Sequence, residues 1–370
     1  RIKAVIATGC LAERYRDEMK KEIPELDAVV GIGSNGKICD IIREILLDKQ
    51  SVCSYGAKTE LSMEGGRIIS TEPFYAYIKI AEGCSNNCTY CAIPSIRGKY
   101  RSRRMEDIVK EARWLAENGV TELVVVAQDT TRYGEDIYGK SMLPELLTAL
   151  CEIDGFKWIR TLYCYPERIT DELLDVIAKE DKLVKYLDMP IQHCDKTILK
   201  RMNRHGDRET LTALIKKIRE KIPNVTLRTT LITGFPGETE EQFEELCEFV
   251  KEIRFERLGC FAYSPEEGTP AEKFEDQVPL KDRERRAEII MEEQMIISDS
   301  LNEAALDSEV EVVCEGFDRY AECYYGRSQA DAPEIDGKIF FLSEDKVRVG
   351  EYVKVKIDDT MDYDLIGSKM

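Results

Sequence analysis

The sequence predicts an α/β protein: a partial (β/α)6 barrel flanked by the end of an open α/β domain and by a small β-barrel. Three observations carry this. Six strand-like runs alternate with amphipathic stretches between residues 73 and 280. A shorter strand–helix alternation fills residues 1–50. Beyond residue 307 helical periodicity stops, and short β runs separated by Gly and Asp turns take over.

In order, residues 1–50 give a strand at Lys3–Ala7, a helix at Arg14–Ile23, a strand at Ala28–Gly31 and a helix at Ile38–Leu47, which predicts the truncated, closing part of an N-terminal open α/β domain. Residues 51–72 are polar and aperiodic and read as a linker. The barrel strands are expected at Tyr75–Ala81, Glu122–Ala127, Trp158–Tyr163, Leu183–Met189, Thr226–Ile232 and Leu258–Tyr263. Between them, Phe243, Leu246, Phe249, Val250 and Ile253 fall on one face of a helix over Thr239–Phe255, and Asp207–Ile222 behaves similarly. Residues 281–306 predict one charged connecting helix. The runs Glu309–Cys314, Tyr320–Gly326, Lys338–Phe341 and Tyr352–Ile357 then predict the β-barrel of residues 307–370.

Composition narrows the function classes. With 370 residues, 43% hydrophobic and 34% charged, the chain suits a soluble, cytoplasmic protein of two or three domains. No apolar run approaches the roughly 20 residues of a membrane span, and no basic-then-apolar leader opens the sequence. Arg1 leads directly into a strand-like run, so an upstream part is expected to be missing. The two histidines, His193 and His205, leave little room for histidine-dependent hydrolysis or zinc-protease chemistry. The formal charge is 53 − 71 = −18, which repels nucleic-acid phosphates and favours basic protein partners.

The motif that carries chemistry is Gly83-Cys84-Ser-Asn-Asn-Cys88-Thr-Tyr90-Cys91, a C-x3-C-x2-C loop directly after the first barrel strand. Thiolates are the usual protein ligands of iron–sulfur clusters, and a cubane has four irons. Cys84, Cys88 and Cys91 can wrap one cubane and leave one iron open, as a catalytic site requires. A zinc site would want a fourth ligand, and no nearby Cys or His pair offers one. Cys39, Cys53, Cys151 and Cys247 read as small buried hydrophobes. Arg97-Gly-Lys99-Tyr-Arg101-Ser-Arg103-Arg104 puts five cations in eight residues; it reads either as a docking site for anions or an acidic electron donor, or as a solvated basic loop.

This loop, with Tyr90 before its last Cys, resembles the radical S-adenosylmethionine superfamily. The resemblance implies that the open iron of a 4Fe–4S cluster chelates S-adenosylmethionine, whose one-electron cleavage gives a 5′-deoxyadenosyl radical. It also implies cofactor contacts from Tyr90, from Gln128 after the second strand, and from Thr230 and Gly234 in Thr230-Leu-Ile-Thr-Gly234-Phe-Pro-Gly237-Glu238. There Glu238 sits one residue later than in the family's pattern, and an ordinary strand-to-helix turn would read the same way. The opening Ala7-Thr-Gly-Cys10-Leu-Ala is similar to methylthiotransferases, whose N-terminal domain binds a second 4Fe–4S cluster through three cysteines. Cys10 matches the last of them, and the other two would lie upstream of Arg1. The resemblance therefore implies two clusters in the full-length protein and only one fully encoded here, so that radical cleavage is expected of this chain and methylthio transfer is not.

The C-terminal β runs resemble a TRAM domain. Transfer-RNA-modifying members need a basic face there, whereas residues 303–370 carry 17 acidic and 8 basic side chains. The segment Gly326-Arg-Ser-Gln329-Ala-Asp331-Ala-Pro-Glu334-Ile-Asp336-Gly resembles the RimO-type branch, with Gln329 where that branch's pattern has Tyr. Tyr163-Cys-Tyr-Pro-Glu-Arg-Ile, Leu187-Asp-Met-Pro-Ile-Gln-His193 and Tyr263-Ser-Pro-Glu-Glu-Gly-Thr269 agree. The implied activity is methylthiolation of the β-carbon of an aspartate in the basic small-subunit ribosomal protein S-twelve, with a flavodoxin or ferredoxin as electron donor. The alternatives are a transfer-RNA adenosine methylthiotransferase, which wants a basic surface, and a non-catalytic protein with a structural cluster, which wants four protein ligands.

Overall fold

The computed structural model describes residues 2–48 and 51–370. Strands β1 (Ile6–Thr8), β2 (Ala28–Val30) and β3 (Val52–Ser54) form a small parallel sheet in that order. The expected linker 51–72 is thus corrected at its start. Val52-Cys-Ser is too short to show a period, yet it pairs with β2 and completes the first sheet.

The central unit holds six parallel strands: β4 (Tyr75–Lys79), β7 (Glu122–Val126), β8 (Trp158–Thr161), β9 (Tyr186–Asp188), β10 (Thr226–Thr233) and β11 (Arg257–Ala262). A short antiparallel pair, β5 (Ala81–Glu82) and β6 (Arg101–Ser102), follows β4 and brackets the cysteine loop. The six strands pair as β4-β7-β8 and β9-β10-β11. A parallel bridge between Ile159 and Leu183 joins the two triplets into one curved, open barrel. Strand β7 reads Glu-Leu-Val-Val-Val because both of its faces are covered. Leu123 and Val125 pack into the large core shared with the outer helices, whereas Val124 faces the interior. In helix Glu240–Ile253 the five expected apolar residues are the buried ones, and a Thr239–Gln242 capping box starts the helix. Helix Arg208–Lys221 starts on the same device at Asp207 and Thr210.

Helix Leu280–Glu303 leads to a closed five-stranded barrel of β12 (Glu309–Asp318), β13 (Cys323–Arg327), β14 (Ile339–Leu342), β15 (Tyr352–Met361) and β16 (Asp364–Lys369). The sequence reading missed β16, whose Gly367 and flanking polar residues dilute the alternation.

This module closes the N-terminal end of the partial barrel. Its Val313 and Ala332 join Tyr75, Val124, Trp158 and Tyr186 in one buried cluster. Around that cluster runs a lattice of charges. Glu122, fully buried, accepts from Arg327 Nη2 at 2.7 Å and from Arg160 Nε at 3.0 Å. Arg257 Nη2 donates to Asp331 at 2.6 Å, and the Tyr186 hydroxyl to Asp336 at 2.6 Å. Arg228 lies 3.7 Å from Asp336 and donates to Asp188 at 2.8 Å. The 326–337 segment is therefore the floor of the barrel. Asp331 and Asp336 are spent on internal partners, while Glu334 accepts from the Tyr75 hydroxyl at 3.1 Å and stays exposed. Residue 329 contributes its carbonyl, which accepts from Arg160 Nη1 at 2.9 Å, so Gln329 and Tyr serve this contact equally.

Candidate active site at the C-terminal mouth of the barrel

The cysteine loop begins at Gly83, whose φ of +79° and close approach exclude a side chain: a Cβ there would lie 2.4 Å from the Lys99 carbonyl oxygen. The loop is then clamped from three directions. Cys84 N donates to Gly98 O at 3.1 Å. Asn86 Nδ2 donates to the buried Asp129 at 2.8 Å, at the C-terminal end of β7. Thr89 donates from N to Met202 O and from Oγ1 to Arg201 O, and Asn203 Nδ2 reaches back to the carbonyls of Asn86 and Asn87.

Cys84, Cys88 and Cys91 line one cavity of about 370 Å3, together with Tyr90, Gln128 and Arg204. Burial raises the Cys84 thiol above its ordinary pKa and pushes Cys91 up to about 11. Without metal both hold their protons at neutral pH, and iron binding must displace them. Burial likewise raises the phenols of Tyr90 and Tyr165, so both stay protonated.

Two features of the cavity fit a cluster carrying an amino-acid-like ligand. Three cysteine thiols from one short loop line the same space, which suits an iron–sulfur cluster held by thiolates. The buried Gln128 Oε1 and Arg204 Nε have no hydrogen-bond partner. An open acceptor and a buried guanidinium, whose Nε has only Glu167 at 3.6 Å, lie beside three thiols and suit an ammonium and a carboxylate.

The backbone is strained around the same space. Asn87, Tyr163 and Gln192 all line the cavity, with φ of +52°, +60° and +71°. Such residues persist only where the surroundings over-determine them, and they gather at functional sites. Asp188 holds one of them, accepting from Tyr163 N at 3.0 Å. Burial raises the Asp188 carboxyl, and Arg228 only partly offsets this.

The remaining sequence-singled residues lie elsewhere. Thr230 sits on β10, where its carbonyl accepts from Gln192 N at 2.9 Å, so it reaches the cavity through Gln192. Gly234, with φ +67°, packs under Arg283, and a Cβ would meet Arg283 Cγ at 2.4 Å. Its N donates to Glu238 Oε2 at 2.9 Å, while Glu238 Oε1 accepts from Arg286 at 2.8 Å. The turn Gly234–Glu238 is in this structure a buried fastening of the barrel to helix Leu280–Glu303. Neither Thr230 nor Gly234 lines the cavity. Sequence reasoning missed Arg204, Tyr163, Tyr165 and Gln192. Tyr163, Tyr165 and Gln192 lie in the family-like segments 163–169 and 187–193, which could have flagged them, whereas Arg204 had only its position after helix Lys196–Arg201.

Cys10 starts helix Cys10–Glu22, which packs beside helix Ile93–Arg97 after the cysteine loop. Arg97 Nη2 donates to its Sγ at 3.0 Å, and Arg97 Nη1 donates to the buried Glu82 at 2.8 Å, next to Gly83. Arg14 pairs with Glu266, and Tyr15 donates to Glu267, which fastens the N-terminal sheet over the 263–269 loop. Within the basic run, Arg97 is thus engaged, Arg101 donates to the carbonyls of Lys58 and Thr59, and buried Arg103 pairs with Glu64 and Glu111. Lys99 and Arg104 are its exposed cations.

Comparison with known proteins agrees with this geometry. Residues 78–250 match the Radical SAM superfamily, and residues 308–369 match the TRAM domain. Three relatives carry the name ribosomal protein uS12 methylthiotransferase RimO. That of Clostridioides difficile is 51% identical over 99% of this chain and 82% of its own length. That of Clostridium tetani is 48% identical over the same shares. That of Caldanaerobacter subterraneus is 50% identical over 97% of this chain and 81% of its own. A solved cobalamin-dependent S-adenosylmethionine radical enzyme, OxsB, is similar at a TM-score of 0.49 and 12% identity, covering 78% of this chain and 43% of that one. At about half identity over nearly its whole length, the chain belongs to the RimO family of methylthiotransferases, which are radical S-adenosylmethionine enzymes.

Proposed function

We propose that the full-length protein transfers a methylthio group to the β-carbon of an aspartate in ribosomal protein uS12, using two 4Fe–4S clusters, of which this chain encodes one completely. The observation that carries the reading is the single cavity at the strand C-termini, where three thiols meet the open polar atoms of Gln128 and Arg204. Cys84, Cys88 and Cys91 would hold the radical cluster, and Cys10 would contribute to the auxiliary one. Bound there, the cluster and S-adenosylmethionine supply a one-electron cleavage that yields a hydrogen-abstracting radical.

The protein's share is binding, orientation and exclusion of water. Asn203, Thr89 and Asp129 fix the loop, so the three thiols keep their spacing. Arg204, Gln128 and Tyr90 orient the cofactor from the cavity wall. Arg97 holds Cys10 beside the loop, which supports an auxiliary cluster facing the same opening. Among the described residues no helix is long and apolar enough to cross a membrane, and we place the enzyme in the cytoplasm with its ribosomal substrate. The exposed Lys99 and Arg104 support an acidic electron donor such as a flavodoxin or ferredoxin docking nearby.

The test is anaerobic reconstitution with iron and sulfide, then addition of dithionite and S-adenosylmethionine. 5′-Deoxyadenosine should form with the wild type and not with Cys88→Ala. A uS12 substrate should gain the mass of one methylthio group less the hydrogen it replaces when both clusters are present. A fully loaded cluster that yields no 5′-deoxyadenosine would overturn the reading.

A further inference from the structure

The three thiols of the loop do not have equal surroundings. Cys88 Sγ lies 2.8 Å from the Tyr165 hydroxyl. No other described side chain makes a hydrogen bond of normal geometry to any of the three, and the Tyr90 phenol is the other neighbour of Cys88 and Arg204. The Tyr165 ring is itself held: the Arg204 guanidinium carbon sits 4.0 Å from its centroid. Arg204 is only 5% exposed and is anchored by donation from Nη2 to Pro190 O at 3.0 Å, with Glu167 3.6 Å from its Nε. The phenol is therefore aimed at one sulfur by a buried, ordered cation.

A free thiol can donate or accept. A thiolate bound to iron has lost its proton and can only accept, so the phenol must donate. Donation to a ligand sulfur favours the more negative, reduced form of a cluster and raises its reduction potential. We propose that Tyr165, held by Arg204, is a positioning residue that donates to Cys88 Sγ and sets the reduction potential of the cluster; this rests on the three-cysteine reading above. Cys84 and Cys91 receive no such donor, so the bias falls on one corner of the cluster.

The test compares wild type, Tyr165→Phe and Arg204→Lys after anaerobic reconstitution. Iron and sulfide are counted, and the cluster is then titrated reductively by electron paramagnetic resonance. Tyr165→Phe should load as much cluster as wild type but reduce at a more negative midpoint. It should also lose an exchangeable-proton coupling seen by electron–nuclear double resonance after transfer to deuterated water. Arg204→Lys should move both readouts the same way by less. Midpoints and couplings equal to wild type in the loaded variants would overturn the proposal. If Tyr165→Phe failed to load, a wild-type midpoint and coupling in Arg204→Lys would do so. A wild type that binds no cluster, with the loop intact, would instead overturn the reading beneath it.

Discussion

Replacing Arg327 with Met would remove a charge from the floor of the barrel while keeping most of the side chain's length. Arg327 is 1% exposed. It donates to Glu122 at 2.7 Å, to Asp331 O at 3.0 Å and to Glu315 at 2.5 Å. Without it, Glu122 would keep only Arg160 as a cationic partner, and Arg160 already has an unpartnered buried Nη2. Breaking a buried pair by removing one partner costs about 3–5 kcal/mol, because the surviving charge stays desolvated. Glu315 is partly exposed and adds little. Against a total stability of about 5–15 kcal/mol, this is a large share. Urea unfolding followed by circular dichroism should show the midpoint falling by about 1 M, for a slope of about 3 kcal/mol per M. Combining Arg327→Met with Glu122→Gln should cost less than the sum of the two single changes, because the stranded carboxylate is gone. A loss below about 1 kcal/mol for Arg327→Met, or strict additivity in the double variant, would refute the view that this lattice ties the module to the barrel.

Other expectations follow from the same structure. Burial alone would raise the Glu122 carboxyl, but Arg160 and Arg327 hold it below the ordinary carboxylate value of about 4.3. Its contribution is therefore complete above that value and disappears as pH falls through the lowered one, so Glu122→Gln should flatten the acid limb of a stability–pH profile. Gly83→Ala should lower cluster content and destabilise the chain by about 1–3 kcal/mol, measured by iron analysis and urea unfolding, since both φ and the Lys99 carbonyl oppose a Cβ. Cys88→Ala should abolish cluster binding while leaving the far-ultraviolet spectrum unchanged, because the loop's clamps come from Thr89, Asn86 and Asn203. Arg14→Ala should speed amide exchange in residues 263–269, which lose their fastening to the first helix.

What could be read from the sequence was local. The C-x3-C-x2-C loop is compressed into eight residues, and the helix over residues 240–253 shows its buried stripe and its capping box directly. Pairs distant in the chain left no such trace. Glu122 and Arg327 are 205 positions apart, and Arg228 and Asp336 each look like ordinary surface residues until the fold buries them together. Arg204 had no periodicity to announce it, because it follows the end of a short helix. Gly234 carries a constraint its motif did not show: besides the ligand contact that the resemblance implies, the Gly-Phe-Pro-Gly-Glu turn packs closely beneath Arg283.

The floor built from residues 326–337 changes what counts as an exchangeable part of this protein. The five-stranded barrel has its own core of Val312, Ile339, Phe341, Val355 and Ile357, and by that test it could be cut out and moved between relatives. The seam says otherwise. Asp336 meets Arg228, Arg228 meets Asp188, and Asp188 holds the backbone of Tyr163 at the rim of the cavity. A chimera joined in the connecting helix would import a plug made for a different socket, and the mismatch would reach the reaction chamber. The inheritable unit is the plug together with Glu122, Arg160, Tyr186, Arg228 and Arg257, and successful recombination should be confined to exchanges that move all of them at once.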